Sequence, residues 1–126
     1  MEHVLLLGRF LLGGYFLFAG INHFTNTKAL AEAAKKRGVL EPVLLTLFSG
    51  FIVVFGALGI LFWIIPGAAL LSLAIFLILT GAIMHPFWLF TNAAPEVRML
   101  EMRFFFGNIA LAGALMMLAT RTISYL

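Results

Sequence analysis

Four long apolar stretches dominate the chain, separated by short polar connections. The first runs from about Val4 to Phe24 with Arg9 as its only charge, and the second from about Val43 to Ile65 with none. The third begins at Pro66 and ends near Met84, and the fourth covers about Arg103 to Ala119. Crossing about 30 Å of hydrocarbon takes roughly 20 helical residues, so all four are near spanning length. Lipid offers backbone N–H and C=O groups no partner, which makes the α-helix the element these stretches must form. Pro66 suits a first helical position, where its missing N–H costs nothing, and it leaves only a tight turn before the third span. Spans two and three are therefore expected as antiparallel neighbours. Pro86 disfavours helical geometry at His85 and closes the third span. The first span is too long for the apolar core of a secretory signal, and no small-residue cleavage site follows it.

The connection TNTKALAEAAKKRGVLEP has a different pattern. Asn26 or Thr27 can cap a helix and Gly38 can end it, with Lys35, Lys36 and Arg37 in a last turn where the helix dipole favours cations. Leu30, Ala31 and Ala34 fall on one side and most charges elsewhere. The pattern predicts a short amphipathic helix lying at the level of the lipid head groups. The predicted fold is thus a single all-α domain over residues 1–126, a polytopic four-helix membrane bundle with an interfacial helix between spans one and two.

Composition supports lipid as the solvent. Of 126 residues, 63% are hydrophobic and 10% charged, far from the roughly 45–50% and about 25% of soluble domains. A chain this small cannot hide that much apolar surface in its own core. The absence of cysteine excludes thiol redox chemistry, cysteine-ligated metal and disulfides. The net charge of +3 reflects membrane-flanking cations and not a nucleic-acid surface. Four spans place both termini on one side and both long loops on the other. The loop side carries Lys28, Lys35, Lys36, Arg37, Arg98 and Arg103, against Arg9, Arg121 and the amino terminus opposite, which favours cytoplasmic loops and external termini. Trp63 and Tyr125 fall on the terminal side and Phe24, Phe87 and Trp88 on the loop side, as interfacial aromatic belts require.

Polar groups inside such a chain are the informative ones, because each needs a partner or a wet cavity. Arg9 is expected to snorkel to the near interface, or else to contact an anion, a head group or a quinone carbonyl. Tyr15, near mid-span, is expected to hydrogen-bond another helix. Gly13 and Gly20, Gly56 and Gly59, and Gly107 and Gly113 are expected to mark close helix contacts, and such faces also permit a homo-oligomer. Asn22, His23, His85, Asn92, Glu96, Arg98, Glu101, Arg103 and Asn108 converge by topology on the loop side. One reading is a polar collar in which Glu101 pairs with Arg98 or Arg103. The sharper one is a pocket with helical walls whose polar groups orient a quinone or lipid head group, with Arg9, Asn22, His23, His85, Trp88 and Asn108 as candidates. Haem ligation by His23 and His85 is disfavoured, since both lie at helix ends. A carboxylate-bridged di-iron centre is weaker still, because the chain has no Asp and no Glu is expected inside a helix. Proton-coupled multidrug transport is disfavoured for want of an intramembrane carboxylate in spans one to three.

The segments GRFLLGGYFLFAGINHFTN, KALAEAAKKRGVLEP, MHPFW and FFGNIALAGALMML occur in an order and spacing that resemble the DoxX family over nearly the whole chain. The resemblance implies a four-helix inner-membrane protein of bacteria or archaea, associated with quinol-oxidase or oxidative-stress systems. The family-like positions are Arg9, Gly20, Asn22, His23, Phe24, His85, Pro86, Phe87, Trp88 and Asn108. Family members often carry a basic residue before the span-four asparagine, where this chain has Gly107, which weakens any role for a charge there. The functional expectation is an accessory, quinone-interacting component of a membrane redox complex whose electron chemistry resides in a partner subunit. The alternative is a non-catalytic scaffold or assembly factor docking partners through the basic loop. Nothing in the chain supplies a redox centre or activated nucleophile for catalysis on its own.

Overall fold

No proline interrupts the first apolar stretch, and it forms one helix, α1 (Glu2–Thr25), in the computed structural model, which describes residues 1–123. α2 (Thr27–Lys36) follows after a single residue, Asn26. Its Ala31 is buried, with Leu30 and Ala34 half-buried on the same side, while Lys28, Glu32, Lys35 and Lys36 are exposed. Gly38, at φ +81°, ends the helix by donating its N–H to the Lys35 carbonyl at 3.0 Å. The start is built differently from the expected cap. Asn26 occupies the cap position, but its side-chain amide donates to the Asn22 side chain. The Thr27 hydroxyl donates back to the His23 and Phe24 carbonyls at the end of α1. These bonds weld α2 to α1 across the bend.

α3 (Pro42–Phe62) and α4 (Pro66–Met84) both begin on proline, as the spacing predicts for the latter. The turn between them is Trp63–Ile64–Ile65, so α3 ends three residues before the expected Ile65. Trp63 and Ile65 adopt left-handed backbone geometry, which reverses the chain at once. After α4, a single 3-10 turn (Phe87–Leu89) leads to α5 (Pro95–Ile123). α5 begins at Pro95 and not at Arg103, because no breaker lies between them and charged residues do not stop a helix that projects into water. Its 29 residues span about 43 Å, more than the hydrocarbon thickness, so its early turns stand above the lipid core.

α1 packs on α3, α3 on α4 and α4 on α5, while α2 lies over the start of α3 and the end of α1. Phe16, Val53, Ile60, Leu73, Leu77 and Leu115 bring all four long helices into one core. Only 17% of the spanning windows of α1 and α5 is buried, against 39% for α3 and α4, so α1 and α5 are the flanking helices. Their outer faces and the backs of the inner pair expose Phe10, Phe18, Phe48, Phe55, Phe106 and Met117. Such a surface has no place in water, and with four helices among the described residues long and apolar enough to cross a bilayer the chain is a multi-pass membrane protein.

Glycine contacts set the spacing of the inner helices. A Cβ built on Gly13 would stand 2.6 Å from Leu61, and one on Gly20 2.6 Å from Val54, both on α3. Gly56 faces Leu73 and Gly59 faces Ala69, drawing α3 onto α4. Gly107 and Gly113 depart from expectation, having no neighbour within 4 Å of a built Cβ, since they lie on the outer side of α5. Gly50, against His23 and Phe24, and Gly67, against Thr122 and Ile123, make the close contacts instead.

Candidate functional site

Pro86 follows His85 and removes it from helical geometry, which turns the imidazole at the end of α4 toward α5. His85 Nδ1 donates to Glu101 Oε2 at 2.7 Å. The other carboxylate oxygen faces Arg37 Nη2 at 3.7 Å, and Arg37 Nε donates to the Met84 carbonyl at 3.1 Å. The guanidinium also lies 4.5 Å over the Phe90 ring. Glu101 is the least exposed member, at 15%, set between Arg37, just after α2, and His85, just after α4. The expected local pairing of Glu101 with Arg98 or Arg103 is therefore replaced by pairing between elements. Early initiation of α5 is the cause: Glu101 lies within a helix, contrary to the sequence expectation, and looks across at α4. Arg37, read from sequence as a last-turn cation, is a member of this cluster that spacing alone did not reveal. The remaining imidazole nitrogen, Nε2, makes no hydrogen bond among the described residues.

Two turns further along α5, about 10 Å from Glu101, stands Asn108. It sits against α4, with its Cβ 3.4 Å from a Cβ built on Gly81, one turn before His85. Its carboxamide makes no hydrogen bond among the described residues, and it is half-buried. An amide in an apolar bundle without a partner is costly, and such groups mark binding sites in membrane proteins. Aromatic rings surround this seam. Phe104 lies 5.0 Å from the His85 ring, and Trp88, at 44% exposure, meets Phe87 and Phe105 edge-on at 5.3 and 5.1 Å.

Asn22 and His23 stand elsewhere. Asn22 is engaged by Asn26 at the α1–α2 bend. His23 donates from Nδ1 to the Ala19 carbonyl at 2.8 Å, and its ring packs 5.8 Å from Phe76 on α4. Phe76 precedes His85 by nine residues, about 13 Å along the helix, so the two histidines meet α4 at different levels. The structure thus brings His85, Glu101, Arg37 and Asn108 to one seam, with Trp88 at its rim. Asn22 and His23 belong to the neighbouring α1–α3 side.

Arg9 is at the opposite end of the bundle. It does not snorkel freely: Nε and Nη2 donate to the Ile60 and Leu61 carbonyls at 3.2 and 2.7 Å, and the guanidinium covers Trp63 at 5.0 Å. These carbonyls lie at the C-terminal end of α3, where helical partners run out and the dipole is negative. Arg9→Met should cost about 2 kcal/mol in detergent unfolding titrations, with Arg9→Lys intermediate because an ammonium lacks the planar fork. A methionine variant as stable as the parent would refute this bridging role. Tyr15 also departs from expectation. It is 58% exposed with its ring against Phe16, and its hydroxyl makes no interhelical bond among the described residues. Of the aromatic belt, Trp63 is under Arg9, and Tyr125 lies outside the described residues.

Two open grooves occur away from the seam. One, of about 550 Å³, lies between α3 and α4 near their turn and is lined by Phe55, Gly59, Phe62, Ile65 and Ala69 among others. The other, of about 460 Å³, lies between α2 and the start of α3. The seam at His85 is by contrast a line of partly buried polar groups between α4 and α5. Comparison of the chain with protein-family models, with curated proteins and with solved structures finds no significant match in any of the three.

Proposed function

We propose that this protein is an accessory, quinone-binding component of a bacterial or archaeal membrane redox system, of the kind its DoxX-like segments imply. The observation that carries the reading is the juxtaposition of the His85–Glu101 pair with the unpartnered Asn108 amide on one α4–α5 seam. Asn108 sits level with Gly81, one turn of α4 before His85, so the two side chains border one stretch of the seam along which a quinone ring takes a hydrogen bond at each of its two carbonyl oxygens. Asn108 would donate to one oxygen and His85 Nε2 would meet the other. With Nδ1 committed to Glu101, Nε2 is the ring nitrogen left for that oxygen. The isoprenoid tail would lie along the apolar outer faces of α4 and α5, and a partner subunit would exchange the electrons. The charge asymmetry supports an orientation with this seam on the cytoplasmic side of the cell membrane.

Organic extraction of protein purified from native membranes, followed by mass spectrometry, tests the reading. Quinone should be recovered in stoichiometric amount and fall about tenfold for each hydrogen bond removed in His85→Ala and Asn108→Ala. Quinone-free protein carrying a stable co-purifying partner would instead make the chain a scaffold that docks through its basic loop.

A further inference from the structure

The groove between α2 and the first turn of α3 has a charge pattern that the quinone reading leaves unused. The groove, of about 460 Å³, has an almost wholly apolar surface made by Ala31, Pro42, Val43 and the carbon stems of Lys28, Glu32 and Lys35, whose exposed charged ends stand at its rim. Lys28, Glu32 and Lys35 are spaced i, i+4 and i+7, so a carboxylate stands one turn from a lysine on either side. All three are exposed, and none makes an ion pair among the described residues, although Lys28 and Glu32 have the spacing to do so. α2 is tied to its neighbours at both ends. Thr27 bonds it to the end of α1, and Arg37 bonds the residue after its last turn to the end of α4. Below the charges, the wall passes into Val43 and Leu44, exposed at 53% and 63%, which begin the lipid-facing surface of α3.

We propose that this groove holds one phospholipid whose head group carries both a phosphodiester and a primary ammonium, as in phosphatidylethanolamine. The phosphodiester sits against a lysine, the ammonium donates to Glu32, and the acyl chains descend along Val43 and Leu44. A purely anionic head group would bring its phosphate beside the Glu32 carboxylate, and a choline group has no N–H to donate. Ethanolamine satisfies both signs within the one-turn spacing that separates Glu32 from each lysine, without the additional carboxylate that a serine head group would bring beside Glu32.

The full chain reconstituted in nanodiscs tests this, with phosphatidylcholine as host and phosphatidylethanolamine or phosphatidylglycerol added. Native mass spectrometry then reads the lipid retained on the protein. Phosphatidylethanolamine should be enriched about two- to fivefold over its share of the bilayer, the range that one exposed ion pair supplies. Glu32→Gln should erase that preference without changing thermal stability, and Lys28→Gln with Lys35→Gln should lower retention of every phospholipid. Preference for phosphatidylglycerol would overturn the proposal in favour of simple attraction to lysines. Equal retention of phosphatidylcholine, or selectivity that survives Glu32→Gln, would overturn it as well. None of these outcomes depends on whether the α4–α5 seam binds quinone.

Discussion

A leucine at position 20 should drive α1 off α3 and cost the bundle at least about 3 kcal/mol, the upper range for overpacking a filled interior. A Cβ on Gly20 already falls 2.6 Å from Val54 Cγ2 and 2.9 Å from the Val54 backbone nitrogen. Valine is stiff at χ1 and the backbone nitrogen belongs to a helix, so neither can step aside. The helices themselves must separate. Association of membrane helices rests on van der Waals packing, because lipid is as apolar as the side chains, and separation therefore forfeits the main attraction. Gly20→Ala should lie between, its clash partly offset by the better helix propensity of alanine. Gly107→Leu is the internal control, since a Cβ there meets nothing within 4 Å. That variant should stay within about 0.5 kcal/mol of the parent. Unfolding in mixed micelles, with elution volume as a check on association, gives the ranking. Equal stabilities for Gly20→Leu and Gly107→Leu would contradict the close α1–α3 contact.

Removing the Glu101 carboxylate should be the second large effect, about 2–3 kcal/mol for Glu101→Ala, below the full cost of breaking a wholly buried pair because Arg37 is 28% exposed. The loss is not local to α5. Glu101 is the shared partner of His85 on α4 and Arg37 after α2, so its removal leaves a partly buried guanidinium without a counter-charge. Among the described residues, the end of α2 is then held to α4 only by the Arg37–Met84 hydrogen bond and the Phe90 ring. Glu101→Gln should recover about half the loss, because a carboxamide oxygen still accepts from His85 Nδ1 but no longer balances Arg37. A double-mutant cycle between Arg37→Met and Glu101→Gln isolates the ion-pair part. Additive effects in that cycle would mean that the 3.7 Å contact contributes no energy.

The legible and illegible parts of the sequence differ by the range of the interactions that decide them. α4 begins and ends where the chain predicts, at Pro66 and Met84, because prolines impose their geometry on adjacent residues whatever surrounds them. Gly38 ends α2 for the same local reason. α5 starts eight residues before the expected Arg103, because hydropathy marks only the lipid-crossing part of a helix and no residue between Pro95 and Arg103 opposes helix. Of the candidate positions, His85 and Asn108 fall on one seam, but Glu101 and Arg37 acquire their roles only through partners 16 and 64 residues away in sequence. Glycine patterns show the same division. Gly13, Gly20, Gly56 and Gly59 mark real contacts, while Gly107 and Gly113 have equal sequence credentials and face outward.

By itself, the sequence determined the solvent, the number of spans and the side on which polar groups collect. Those follow from apolar length against membrane thickness and from the backbone's need for internal hydrogen bonds, neither of which requires knowing a neighbour. Tertiary structure decided which helices are inner and which flank, that Arg9 closes the end of α3, and that Glu101 joins three elements. Each of those is a contact between groups far apart in the chain. In a sequence that is 63% hydrophobic, many helical faces are equally apolar, so the choice among them is made by close packing and by where the few charges find partners.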